Sequence, residues 1–221
     1  MDSLIDIFNR TCTDKNSEYH NYCRQYDDLF KKYREDKLSF LEIGIYEGAS
    51  LPVWREVFPN ATKIVGADIL ESCSDYNDPD KNIFVEVSDA TTPEFAAKMG
   101  SFDIIVDDGS HTNEGVIKAF QNLFPLLNDN GLYVIEDTNC YKNYPNNNSD
   151  YPNHLEYFAR FIPYINQSRH DSHEGIRDHC ADPWKILKKT DNVFEYSIDK
   201  IEFGCSYIAI HKKIRQHWIK A

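Results

Sequence analysis

Two pairs of adjacent carboxylates stand where predicted strands end. Asp107 and Asp108 follow the apolar segment FDIIV, and Glu136 and Asp137 follow GLYVI. In a parallel sheet the carboxyl ends of neighbouring strands, which lie about 5 Å apart, collect at one edge. Carboxylates gathered there repel one another unless a cation or a proton intervenes. The pattern therefore favours a hard divalent ion with oxygen ligands, Mg²⁺ with Mn²⁺ or Ca²⁺ also tolerated.

A histidine follows the first pair closely. His111 comes three residues after Asp108, and an imidazole, which titrates near about 6.5 when unperturbed, is a candidate general base beside an ion. The alternative interpretation is structural: Asp108 to Ser110 would form a turn and a helix N-cap, with Glu136 and Asp137 in an exposed loop. Either pair alone fits that alternative, whereas the two pairs together favour the ion.

A glycine turn follows the first predicted strand, in LEIGIYEGAS. Its glycines, Gly44 and Gly48, are spaced G-x-x-x-G. A dinucleotide motif needs a glycine two residues after the first, where a pyrophosphate approaches the backbone. Tyr46 occupies that position here. The turn therefore suits a nucleoside without a pyrophosphate.

Three acids accompany this turn. Asp68 ends the second predicted strand and suits ribose hydroxyls, Asp89 ends the third and suits an adenine amine, and Glu42 suits an ammonium group. Each acid alone is more often a turn former or a helix cap than part of a binding site. Together with the glycine turn they predict a site for S-adenosylmethionine.

The surrounding segments predict an α/β fold. Apolar strand candidates alternate with helical patterns, which is typical of a parallel sheet with helices on both faces. The strand candidates are 38–48, 63–70, 82–90, 102–110 and 131–138, with helical patterns at 50–58 and 116–127. Segments 194–204 and 205–213 predict a final antiparallel pair at one edge.

Composition limits the classes of function. The 221 residues, 41 % of them apolar, predict one domain over residues 1–221. The formal net charge of −12 disfavours nucleic-acid binding. The N-terminus lacks the apolar run of a signal peptide or membrane span, and the six cysteines lack zinc-site spacing. We therefore expect a cytoplasmic protein with free thiols and no membrane partner.

The region 139–185 is rich in polar residues and predicts a substrate lid. It includes one amphipathic helical pattern over residues 155–165. Candidate stacking surfaces for the substrate are Tyr141, Tyr144 and Tyr151. A weaker hypothesis is a second metal site at His170, His173 and His179.

The motifs LEIGIYEGAS, FDIIVDDGSH, FQNLFPLL and GLYVIEDT resemble the class I S-adenosylmethionine-dependent methyltransferases of the macrocin and mycinamicin sugar O-methyltransferase type. The opening segment TDKNSEYHNYCRQYDDLF is similar to theirs, so the resemblance covers about residues 13–138. It departs from the family pattern at 128–131 and 138–141, and the second departure concerns substrate contacts.

The resemblance implies a Rossmann-like fold: a seven-stranded, mostly parallel sheet with an antiparallel last strand, preceded by a helical cap over residues 13–37. It also implies Mg²⁺ bound by Asp108, Glu136 and Asp137, and His111 as the catalytic base. The implied cofactor pocket comprises Glu42, Gly44, Gly48, Ser50, Asp68 and Asp89, with His20 and Tyr22 from the opening segment. Asp107 either faces the cofactor or shapes the turn.

The functional hypothesis is a Mg²⁺-dependent O-methyltransferase of a hexose or deoxyhexose hydroxyl. The acceptor, whether free, nucleotide-linked or within a glycan, and a homo-oligomeric state are left open. Rivals are methylation of a non-sugar vicinal diol such as a catechol, a nicotinamide-dependent oxidoreductase, which Tyr46 disfavours, and a non-catalytic nucleoside-binding module. The last leaves the strand-end acids unexplained.

Overall fold

The computed structural model describes residues 2–11, 13–140, 150–165, 194 and 197–213. The candidate residues Tyr141, Tyr144, His170, His173 and His179 lie outside this part of the chain. Much of the predicted 139–185 lid therefore stays a prediction.

The described strands form one seven-stranded sheet in the order β3-β2-β1-β4-β5-β7-β6. Neighbouring strands from β3 to β5 run parallel, whereas β7 is antiparallel to both β5 and β6. The strands are β1 Ser39–Ile43, β2 Lys63–Asp68, β3 Ile83–Val87, β4 Phe102–Asp107, β5 Leu127–Ile135, β6 Ile198–Phe203 and β7 Ile208–Lys212. The predicted sheet, including its antiparallel final pair, is confirmed.

Helices cover both faces, as predicted. They are α1 Leu4–Asn9, α2 Tyr22–Phe30, α3 Ser50–Val57, α4 Pro93–Lys98, α5 Asn113–Leu123, α6 His154–Ala159 and α7 Ile162–Ile165. Short 3-10 turns lie at Lys31–Tyr33, Glu71–Tyr76, Pro79–Lys81 and Phe124–Leu126. No helix among the described residues combines the length and apolar character needed to cross a bilayer.

Alternating strand residues supply two apolar cores. Phe40 and Ile104 join the core built with α1, α2 and α3, whereas Leu41 and Ile105 join the core built with α5 and α6. Successive side chains of a strand point to opposite faces of the sheet, so a nearly continuous apolar strand feeds both cores. This explains why β1 and β4 are buried along almost their whole length.

The direction of strand addition reverses between β1 and β4. After β1 the chain adds β2 and then β3 on one side, and it returns to add β4 and β5 on the other. Glu42 pairs with Val106, and Asp107 pairs with Ile135, so β1, β4 and β5 end at the same level. Ligands of such sheets bind beyond the carboxyl ends at this reversal.

The prediction of one continuous helix over residues 155–165 is wrong. The structure has two short helices, α6 and α7, separated by Arg160 and Phe161. Pro163 supplies the physical reason, because proline has no backbone N–H and its ring clashes with the carbonyl four residues earlier, here Ala159. A continuous helix through this position would therefore be disrupted.

Candidate active site

Three side chains converge beyond the ends of β4 and β5. His111 Nε2 lies 3.8 Å from Asp108 Oδ1 and 4.0 Å from Asp137 Oδ2. Each residue offers one ligand atom, and these three atoms lie within 4.8 Å of one another. The side chains are between 16 and 18 % exposed. We call Asp108, His111 and Asp137 the cation cluster.

The backbone holds the cluster in place. Asp108 N donates to the carbonyl of Ile43 (2.9 Å), so the sheet bonding continues beyond β4. His111 and Asp137 adopt positive φ angles of 52° and 51°, a conformation that turns the chain sharply after a strand. Thr112 is the N-cap of α5, with its hydroxyl accepting from Gly115 N at 3.0 Å. Because Thr112 supplies the cap, the Asp108 carboxylate is not needed for that role.

Glu136 lies outside the cation cluster. Its Oε2 accepts from Lys15 Nζ at 2.8 Å, and its Oε1 accepts from the Tyr26 hydroxyl. Burial raises the pKa of Glu136 well above its ordinary value, although Lys15 acts in the opposite direction. The structure thus brings together two of the three predicted carboxylate ligands, with His111 as the third group.

Lys15, which the sequence did not single out, is central to the site. Its Nζ lies 2.5 Å from Asp108 Oδ2, 2.8 Å from Glu136 Oε2 and 3.7 Å from Glu42 Oε1. Burial by itself lowers the pKa of Lys15, but the carboxylates outweigh it and hold the pKa well above its ordinary value. The available signal was indirect: several buried acids require a cation, and Lys15 belongs to the Thr-Asp-Lys segment of the resemblance.

His20 and Tyr22, which are predicted to bind the cofactor, both lie close to Asp137. The Tyr22 Oη lies 2.8 Å from Asp137 Oδ1 and accepts from Asp137 N, also at 2.8 Å. His20 Nδ1 lies 3.6 Å from Asp137 Oδ1. The described contacts therefore place both side chains beside the cation cluster.

The glycine turn packs directly against β4. Gly44 has a φ of 81°, and a Cβ on it would collide with the carbonyl oxygen of Asp108. Gly48 has a φ of 66°, and a Cβ there would collide with the ring of Tyr76. Tyr46, between them, is 69 % exposed. Both glycines are required by conformation and by space.

Glu42 presents an unsatisfied oxygen to the site. The residue is fully buried, and the Ser50 hydroxyl donates to its Oε2 at 2.5 Å. Its Oε1 has no hydrogen-bond partner. Burial raises the pKa of Glu42 to about 6, with Lys15 and Ser50 acting in the opposite direction. A buried acceptor of this kind suits a cationic donor from a ligand.

Asp68 and Asp89 stabilise the turns that follow β2 and β3. Asp68 accepts from the backbone N–H groups of Tyr46 (2.8 Å) and Leu70 (3.0 Å). Asp89 Oδ1 accepts from the N–H and the hydroxyl of Thr91 at 2.9 and 2.7 Å. Both acids thus have the structural role considered from the sequence, and their roles toward a nucleoside stay predictions.

Asp107 points to the opposite face of the sheet from Glu42. It pairs with Ile43 of β1, whose side chain belongs to the core on the α5 side. The Tyr133 hydroxyl donates to Asp107 Oδ2 at 3.1 Å, and burial raises the pKa of Asp107 to about 7. This placement favours a turn-shaping role over the predicted contact with the cofactor.

Two residues of the predicted lid lie on the α5 side. Tyr151 packs against the core there, with Lys118 Nζ 5.6 Å from its ring centre. His154, which the sequence did not single out, is fully buried, with Nε2 3.1 Å from the carbonyl of Thr138 and Nδ1 2.8 Å from Asn113 Oδ1. His154 thereby connects α6 to the segment that follows Asp137.

Comparisons with known proteins agree with this arrangement. Residues 41–138 match the family described as "Methyltransferase domain". The chain is 37 % identical over 145 residues to demethylmacrocin O-methyltransferase of Streptomyces fradiae, covering 61 % of this chain and 36 % of that protein. It is 35 % identical over 142 residues to mycinamicin VI 2''-O-methyltransferase of Micromonospora griseorubida, covering 61 % and 35 %. The chain spans about a third of the length of these curated relatives.

A solved structure extends the similarity to almost the whole chain. The MycE methyltransferase of mycinamycin biosynthesis, in complex with Mg and SAH, superposes with a TM-score of 0.77 at 26 % identity. The match covers 96 % of this chain and 55 % of MycE. The resemblance found in the sequence is thus confirmed: residues 41–138 match the methyltransferase-domain family, and the described sheet has the class I methyltransferase fold.

Proposed function

We propose that the chain transfers the methyl group of S-adenosylmethionine to a sugar hydroxyl with the help of Mg²⁺, for which Mn²⁺ would substitute. The observation that carries this proposal is the cation cluster of Asp108, His111 and Asp137 beyond β4 and β5. It lies where the strand order reverses, beside the glycine turn that packs on Asp108. A nucleoside and an ion would therefore bind close together.

The residues present fit a hard divalent ion. One carboxylate oxygen of Asp108 and one of Asp137 lie within 4.8 Å of each other. Both side chains remain partly accessible. Both oxygens of Glu136 are already engaged, so we assign the ligand role to Asp108 and Asp137. Bound Mg²⁺ would orient the acceptor oxygens and lower the pKa of a hydroxyl.

We assign His111 to proton transfer. Its Nε2 is the ring atom nearest both carboxylates. An acceptor hydroxyl held at these carboxylates would therefore lie beside Nε2. His111 takes the hydroxyl proton while the oxygen attacks the methyl carbon, the carbon–sulfur bond breaks, and its electron pair returns to sulfur. Fixing the two reactants in line supplies much of the rate, because it removes the entropy cost of bringing them together.

The cofactor would lie along the ends of β1, β2 and β3. Glu42 Oε1, which has no hydrogen-bond partner and lies 3.7 Å from Lys15 Nζ, would accept from the ammonium group of the methionine moiety. Gly44 and Gly48 leave space for the backbone turn, and Asp68 and Asp89 are the predicted contacts of ribose and adenine. S-adenosylhomocysteine, the thioether product, should bind the same site.

A sugar hydroxyl is the favoured acceptor because of the relatives. Their names specify O-methylation of demethylmacrocin, of mycinamicin VI and of a rhamnosyl tetracenomycin. MycE was also solved with Mg, SAH and mycinamycin VI, at a TM-score of 0.77 and 26 % identity, with 54 % of that chain covered. We extend to this chain the class of acceptor, a hydroxyl on a glycosylated small molecule.

Methyl transfer can be measured with labelled S-adenosylmethionine and a panel of sugar glycosides. We expect activity to disappear with EDTA and to return with Mg²⁺. Asp108→Asn should lower turnover at least about 100-fold, the scale on which loss of positioning and electrostatic stabilisation acts. Asp78→Asn, which changes an exposed acid paired with Lys81, should stay within about twofold. Undiminished transfer in EDTA or in Asp108→Asn would overturn the metal role.

A further inference from the structure

One ammonium group is enclosed by the acids of three strands. Lys15 contacts Glu42 of β1, Asp108 after β4 and Glu136 after β5, and its side chain is only 3 % exposed. These contacts span 93 residues to Asp108 and 121 residues to Glu136. Lys15 is therefore a fixed part of the site.

The charges of the site are balanced only when those of the proposed divalent ion and cofactor are included. Four carboxylates face this side, those of Glu42, Asp108, Glu136 and Asp137, and Lys15 supplies one positive charge. With all four carboxylates ionised, a state that burial of Glu136 opposes and a bound cation favours, Lys15 leaves three negative charges uncompensated. A divalent ion and a sulfonium together carry roughly three positive charges, which would complete the balance.

Lys15 and an ion at the cation cluster would share one carboxylate. Asp108 Oδ2 accepts from Lys15 Nζ, and Asp108 Oδ1 is the oxygen nearest His111 Nε2. Two cations held by the two oxygens of one carboxylate repel each other, more strongly in a buried site than in water. The ammonium must therefore weaken the attraction of the cluster for an ion.

We propose that Lys15 is a resident counter-charge that limits the affinity of the cation cluster for divalent ions, an inference that rests on the proposed function. Lys15 neutralises part of the buried acidic charge within the chain itself, so the fold does not depend on the ion. A purely structural ion pair would have the opposite signature, because loss of Lys15 would then loosen Asp108 and weaken ion binding.

Binding of Mn²⁺ alone to the full chain, measured from the electron paramagnetic resonance signal of the free ion, tests the proposal. Lys15→Met removes the charge with similar side-chain volume and should tighten Mn²⁺ binding at least tenfold. Lys15→Arg keeps the charge and should stay within threefold of the unchanged chain. Lys98→Met removes an equal charge at an exposed site paired with Glu86 and should stay within twofold.

Lys15→Met removes the counter-charge of three acids, so the folding of this variant is measured by circular dichroism with and without Mn²⁺. We expect Mn²⁺ to raise its melting temperature more than that of the unchanged chain, or to restore its fold. Equal or weaker Mn²⁺ binding, or no such rescue, would overturn the inference. Mn²⁺ binding without methyl transfer would contradict the proposed activity alone, whereas absence of Mn²⁺ binding to the unchanged chain would contradict both.

Discussion

His111 and His211 both lie beside carboxylates, but the two contacts have different roles. His211 Nε2 lies 2.7 Å from Glu202 Oε1 within the edge strands, whereas His111 lies between two carboxylates that no strand pairing explains. At the residue scale, the role of a histidine depends on whether its partner belongs to the pairing of the strands or to a site outside that pairing. His111 faces Asp108 and Asp137, the other members of the cation cluster, whereas His211 faces Glu202 on the neighbouring strand.

Replacement of His111 tests this assignment directly. His111→Gln should lower turnover at least about 100-fold, because it removes the general base, while S-adenosylhomocysteine binding should stay within about threefold. His211→Gln, the matched control, should leave turnover within about twofold. Calorimetry and initial rates check these outcomes, and equal loss of activity in both variants would argue against a catalytic role for His111.

At the scale of elements, the turn between β1 and α3 depends on close packing. Gly44→Ala should destabilise the fold by at least about 2 kcal/mol, because it places a side chain at positive φ and against the Asp108 carbonyl. Gly100→Ala should cost less than about 0.5 kcal/mol, because its Cβ would have Lys63 Nζ as nearest neighbour at 3.5 Å. Denaturant unfolding measures both, and equal stability of the two variants would contradict the packing argument.

The link between α6 and the segment after Asp137 should respond to acid. Burial lowers the pKa of His154, although its hydrogen bond to the Thr138 carbonyl acts in the opposite direction. The unfolded chain therefore takes up this proton at a higher pH than the folded chain. The stability contributed by neutral His154 is complete above about pH 6.5 and declines as pH falls below that value.

His154→Gln isolates this contribution. Glu42 and Glu136 have raised pKa values, so their effect on stability has the opposite sign, and only the difference between the two chains is diagnostic. Between pH 7 and pH 5 the unfolding free energy should fall more for the unchanged chain than for His154→Gln. Parallel profiles from urea unfolding would refute the assignment.

At the scale of the whole molecule, an aromatic cluster joins the N-terminal helices to the sheet. Phe30 of α2 lies 5.7 Å from Trp54 of α3 and 5.4 Å from Phe58, and Phe40 of β1 lies 4.8 Å from Trp54, between ring centres. The segment that carries Lys15 is thus continuous with one of the two cores. The N-terminal helices and the sheet should therefore unfold together.

Phe30→Ala tests this unity. It should lower the unfolding free energy by about 4 kcal/mol, as expected for a fully buried phenylalanine. Far- and near-ultraviolet circular dichroism should show one shared transition at a lower midpoint. Phe203→Ala, at a residue 46 % exposed, should cost less than about 1 kcal/mol. Separate transitions would mean that the N-terminal helices form an independent unit.

The sequence by itself determined the order of elements and predicted where the candidate site lies. Apolar strands followed closely by Asp108 and Asp137, together with helical patterns between strands, predicted the sheet and the edge that carries the candidate site, because these signals depend on local periodicity. The glycine turn was also predicted from local rules, since Gly44 and Gly48 adopt positive φ.

Only the tertiary structure decided which acids share which partners. It separated Glu136 from the cation cluster, turned Asp107 to the opposite face, and brought Lys15 among carboxylates more than 90 residues away. These outcomes depend on strand register and on the packing of a segment without a regular period. Local sequence patterns determine helices, strands and turns, whereas the pairing of charges distant in the sequence depends on the tertiary packing of the whole chain.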